Sequence, residues 1–159
     1  MTAVGANGTL IALGARFGGW ALYIKDGIPA YDYNFLGLQR FTVAAAEKLV
    51  PGKSTIRFEF AYDGGGLANG GIGTLYVNNR KVAEGRIERT QPLIFSADET
   101  ADVGIDLATP VVEAIGSEAR SRFTGKIHKV TIEVKEPKKE TGRSIARQRS
   151  QSDKGERRW

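Results

Sequence analysis

The run STIRFEFAY, Ser54–Tyr62, alternates without a break. Ile56, Phe58, Phe60 and Tyr62 share one parity, while Arg57 and Glu59 hold the other. A period of two sorts side chains onto the faces of a pleated strand, one toward a core and one toward water. GGWALYIKDGIPAYDYNF extends the same logic through turn chemistry. Trp20, Leu22 and Ile24 line one face, and the chain returns through Tyr31, Tyr33 and Phe35. Asp26-Gly27 between them supplies the positive φ angles that a two-residue hairpin turn needs. TLYVNNRKVAEGRIE repeats the device with Asn78-Asn79, since asparagine tolerates the left-handed region.

Further along, FTGKIHKVTIEV predicts a last strand with an irregularity. Phe123 and Ile127 share one parity, and Val130, Ile132 and Val134 share the other. A strand with one buried face changes parity only through an extra residue, so a bulge near His128-Lys129 is expected. Helical signals are weak. TVAAAEKLV, Thr42–Val50, holds good helix formers but is short and stops at Pro51-Gly52; TPVVEAIGSEARSR has room for one or two helical turns. Many short strands with glycine-rich turns and no long amphipathic helix predict an all-β fold, an antiparallel β-sandwich.

The segment FAYDGGGLANGGIGTLYVNN places six glycines in the ten positions Gly64–Gly73. A dinucleotide fingerprint would need G-x-G-x-x-G between a strand and a helix. From Gly64 that spacing reaches Gly66 and then Asn69; from Gly71 it reaches Gly73 and then Tyr76, and a strand follows. A P-loop fails for want of G-K-[ST]. The glycines read instead as a tight connection between sheet strands, where positive φ is in demand.

Charge has to be located before it is interpreted. The net charge is +5, yet Lys135–Trp159 alone holds nine Lys/Arg against four Asp/Glu, which leaves residues 1–134 neutral. This divides the chain into a sandwich domain, 1–134, and a basic tail, 135–159, too poor in apolar residues to fold and expected to be disordered. Its accessible charge suits a nucleic-acid or acidic-surface contact, although a solvated tail is the simpler expectation. No apolar run is long enough to span a membrane. The first twenty residues lack the basic start of a signal peptide, so no leader is expected and the compartment stays open. Without cysteine there is no disulfide, thiolate nucleophile or cysteine metal site. The lone histidine, His128, excludes a multi-histidine centre and, within a predicted strand, reads as structural.

Four carboxylates, Asp98, Glu99, Asp102 and Asp106, fall within nine positions and are the candidate ligands for Ca²⁺, which takes six to eight oxygens. The D-x-[DN]-x-[DN]-G loop is not matched, because Val103-Gly104 follow Asp102; an acidic loop at the surface or at an interface is the plainer expectation, with no cofactor. Trp20, Tyr31 and Tyr33 are candidates for stacking on a sugar, against the alternative of packing in the core.

The runs RFGGWALYIKDGIPAYDYNFLGLQRFTV, STIRFEFAYDGGGLANGGIGTLYVNNRKVAEGRIERTQPLIFSADETADVG and FTGKIHKVTIEV span nearly all of residues 10–134. They resemble the C-terminal domain of large bacterial arylsulfatases, in words as unusual as YDGGG, EGRIERT and SADETADVG. GGWALYIKDGIPAYDYN also looks like the laminin-G and concanavalin-type jelly rolls. The resemblance implies a parent enzyme that cleaves sulfate esters with a formylglycine nucleophile and a divalent metal, both in a separate α/β domain. That nucleophile comes from C/S-x-P-x-R, and here the residues two before each proline are Gly27, Leu49, Thr90, Ala108 and Lys135. The motif is absent and no catalytic residue carries over. What the resemblance implies is a non-catalytic accessory domain, a detached or truncated gene product or one piece of a split enzyme. Its partner would be a sulfatase catalytic domain, contacted through Asp63, Gly64, Gly65, Gly66, Asp98, Glu99 and Asp102. Relative to that family an N-terminal sandwich strand is missing, which would leave a sheet edge exposed. A carbohydrate-binding module for sulfated glycans is the alternative.

Overall fold

A computed structural model describes residues 5–92 and 101–136. The fold is all-β, two antiparallel sheets packed as a sandwich. The strands are β1 Gly8–Ala15, β2 Gly18–Lys25, β3 Ile28–Phe35, β4 Gln39–Ala44, β5 Ile56–Tyr62, β6 Gly71–Val77, β7 Arg80–Ile87 and β8 Ala101–Val103, followed by one helical turn, α1 Glu118–Ser121. The first sheet runs β4-β3-β2-β1-β8 and the second β5-β6-β7.

Both hairpins form where the turn residues place them. Asp26 and Gly27 have φ of 52° and 82° between β2 and β3, and Asn78 and Asn79 have φ of 48° and 65° between β6 and β7. Register across the first sheet aligns Trp20 with Tyr33 and Phe41, and Leu22 with Tyr31 and Val43. Those rows face the second sheet, where Leu75 and Ile87 are fully buried.

The glycine run joins β5 to β6 and continues into β6, and its two halves are glycine for different reasons. Gly64, Gly65 and Gly66 have φ of 81°, 77° and 121°, so conformation requires them. Gly73 requires space: a Cβ there would lie 2.6 Å from the Phe58 ring. Its cross-strand partner Gly85 would bring a Cβ within 3.0 Å of Val43 from the opposite sheet. The paired glycines form a hollow that admits one side chain from each direction.

The opposite face of the first sheet is closed by residues 105–122. Val111, Val112 and Ile115 pack on Ala12, Ala21, Tyr23 and Ala30. The backbone of this covering segment is held by buried side chains. Asp106 accepts the Val111 N–H at 2.8 Å, Ser121 Oγ accepts the Asp106 N–H at 2.9 Å, and Asn34 donates to the Val111 carbonyl at 3.5 Å. Under the cover, Tyr23 donates to Asp32 at 3.3 Å.

Two expectations change. Thr42–Ala44 belongs to β4, because Val43 is drawn between the sheets, and no helix follows it. FTGKIHKVTIEV is not a strand, and the bulge expected near His128-Lys129 therefore has no ladder to interrupt. β8 occupies the outer edge of β1, and the chain leaves that edge after Phe123 and Thr124 bond the carbonyls of Gly104 and Asn7 at 2.8 and 2.9 Å. Beyond them, residues 125–136 make no hydrogen bond among the described residues. Alternation sorts side chains; a strand also needs a neighbour's backbone.

Candidate docking groove

The second sheet is narrower than the first, and this difference creates the site. β6 and β7 lie over β4, so β1 and the side of β2 toward it are left without close sheet cover, beyond the contacts of Trp20 and Leu22 with the second sheet. The result is a groove of about 1610 Å³. Its floor is Leu10, Ile11, Trp20, Leu22 and Ile24, one wall is β5 with residues 49–55 before it, and the other wall is Phe123 with Lys126–Lys135. Ile56 and Phe58 are half-buried on the groove side of β5, and Phe60 is 39% exposed. On the opposing wall Val130, Ile132 and Val134 are all exposed.

Trp20, Tyr31 and Phe58 form a stacked series across the floor, with ring centroids 6.0 and 3.6 Å apart. Tyr31 and Tyr33 are 7% and 5% exposed. Burial pushes both phenols above their ordinary pKa, and Tyr33 Oη accepts the Gln91 N–H at 2.7 Å. These two rings are core residues with no open face for a sugar. All three aromatic candidates border the groove, and Trp20, half-buried, is the one of them with exposed ring surface there. His128 lies on the outer wall without a hydrogen-bonding partner among the described residues.

The other candidates sit elsewhere. Asp63 is beyond the end of β5, forked onto Arg86 at 2.9 and 2.5 Å, and this guanidinium holds its carboxyl below the usual range. Gly64, Gly65 and Gly66 follow it in a loop tied shut from within. Asn69 donates to the Gly64 carbonyl at 2.7 Å, Tyr62 Oη donates to the Gly66 carbonyl and accepts the Asn69 N–H. This connection closes on itself through the carbonyls of Gly64 and Gly66 and the amide of Asn69. Asp102 lies on β8 and accepts the Leu107 N–H at 2.9 Å, while Asp106 is buried in the covering segment. Asp98 and Glu99 lie outside the described residues. Among the described residues no group of three or more His, Cys, Asp or Glu is placed to hold a metal.

The groove itself escapes a linear reading, because its lining comes from residues as far apart as Leu10 and Lys135. Compared with known proteins, the chain significantly matches no family model, no curated protein and no solved structure. Fold and groove therefore define its class: a β-sandwich domain with an apolar face left open among the described residues.

Proposed function

We propose that this chain is a non-catalytic accessory domain of the arylsulfatase type, which packs on a sulfatase catalytic domain and borders its substrate cleft. The observation that carries the reading is the groove. An apolar floor flanked by a strand whose outer edge is unpaired among the described residues is the form of a protein contact surface. The sequence resemblance supplies the kind of partner. The test has two arms. The purified chain with divalent metal should release no sulfate from an aryl sulfate above the buffer control, and it should co-elute with an arylsulfatase catalytic domain. Turnover, or separate elution at micromolar concentrations, would overturn the proposal.

Trp20 at the groove floor favours a second reading, a module that binds sulfated glycans by stacking on its indole. Screening a sulfated-glycan array decides it. Binding that Trp20→Ala abolishes, with the circular dichroism spectrum unchanged, would support this reading; no binding to any glycan would remove it.

A further inference from the structure

The groove is flanked by two stretches of backbone that each lack a partner. β5 bonds only β6 among the described residues, so the edge away from β6 carries its outward N–H and C=O groups unpaired. Opposite it, residues 126–135 run along the groove without a hydrogen bond among the described residues. Such edges are ready templates for another strand. The volume also discriminates between occupants. Small-molecule sites run to roughly 300–1,000 Å³, and this groove, at about 1610 Å³, is larger. A strand as long as the seven-residue β5 spans roughly 23 Å.

Charge narrows the choice further. Arg57 and Glu59 pair with each other on the outer face of β5. That leaves Lys53, Lys126, Lys129 and Lys135 against Glu133 around the groove, all of them exposed. The floor wants apolar side chains at every second position of an occupant, and the rim wants carboxylates between them.

We infer that the groove captures an extended peptide segment of a partner protein, alternating apolar and acidic residues, as a strand added to the free edge of β5 and bracketed by Lys126–Val134. The inference goes beyond the accessory-domain reading, because strand capture does not require the partner to be a sulfatase. Each can fail while the other stands.

The test uses the full chain and two capped peptides of about ten residues, long enough to cover β5. One alternates valine with glutamate, the other valine with lysine. Binding is read by fluorescence anisotropy and by hydrogen exchange. The glutamate peptide should bind at least roughly tenfold more tightly, the effect of a few exposed charge pairs acting together. It should slow exchange in both Ile56–Tyr62 and Lys126–Val134. Lys126→Glu with Lys129→Glu, both on the unpaired wall, should reverse the order of the two peptides. Equal affinity for both peptides, or saturation without protection of β5, would overturn the inference. So would either internal alternative. Protection of both segments in the free monomer would mean the chain's own wall closes on β5. Protection that rises with protein concentration alone would mean that a second copy is the occupant.

Discussion

The five-stranded sheet has two faces, one of alanines with Tyr23 and one of larger aromatic and aliphatic side chains, and they are finished differently. Residues 105–122 cover one face over β1 to β3, with Val111 and Val112 at zero exposure. Residues 125–136 border the other without sealing it. The difference lies in the backbone of the two segments. The first carries Asp106 and Ser121, buried side chains that bond main-chain groups at 2.8 and 2.9 Å while the apolar residues pack beneath. The second carries lysine, threonine and glutamate between its apolar residues and makes no such bonds among the described residues. Covering a sheet demands that the cover satisfy its own amides as well as supply apolar area.

The largest effect that should separate the closed and open regions is a cavity. Leu75→Ala, at full burial between the sheets, should cost about 2–5 kcal/mol in chemical denaturation. Val134→Ala on the open wall, 92% exposed, should stay within about 0.5 kcal/mol. Comparable losses would mean that the wall is packed.

Next come substitutions in the glycine hollow. Gly73→Ala drives a methyl into the Phe58 ring, an overpacking cost of about 1–3 kcal/mol. Gly64→Ala meets nothing and should lose only about 1 kcal/mol from its positive φ. Introducing Phe58→Ala should shrink the first cost and leave the second unchanged, since only neighbours couple. Equal coupling to both would contradict the division between space and conformation.

Asp106→Ala addresses the cover directly. Leaving the Val111 amide buried without its acceptor should cost about 1–3 kcal/mol and raise hydrogen exchange over residues 105–122, with β5 and β6 unaffected.

The smallest effect is in pH. Burial holds the Asp32 carboxyl above its ordinary value, against hydrogen bonds from Thr42 and Tyr23 and the charge of Arg40. Between the unfolded value of 3.8 and the raised one, the folded chain keeps a proton that the unfolded chain has lost. Stability should therefore fall as pH rises through that window. Asp32→Asn, which preserves an acceptor for Tyr23, should flatten this slope in melts taken across the acid range. A slope unchanged in the variant would place the titration elsewhere.

Legibility followed the same line between local and non-local causes. Asp26-Gly27 and Asn78-Asn79 announced their hairpins because positive φ is a property of the residues in the turn. β5 was visible through strict alternation. β1 was harder to single out, since GTLIALGA is apolar apart from Thr9 and both of its faces are covered or face the groove. Thr42–Val50 showed helix formers, yet Val43 is placed by a hollow made of Gly73 and Gly85, more than twenty residues away in sequence. FTGKIHKVTIEV failed in the opposite direction: its pattern suits a strand, but it has no neighbour to bond. Of the candidate site residues, all three aromatics border the groove, but only Trp20 is half-buried there; Tyr31, stacked between Trp20 and Phe58, and Tyr33 are almost wholly in the core.

The central claim is that one face of this sandwich is open. Hydrogen exchange of the free monomer, resolved by peptide, tests it most directly. β6, flanked on both sides, should be the slowest region, β5 should be only partly protected, and residues 125–136 should exchange at rates near those of an unstructured chain. Strong protection across Lys126–Val134 in the monomer would contradict the account.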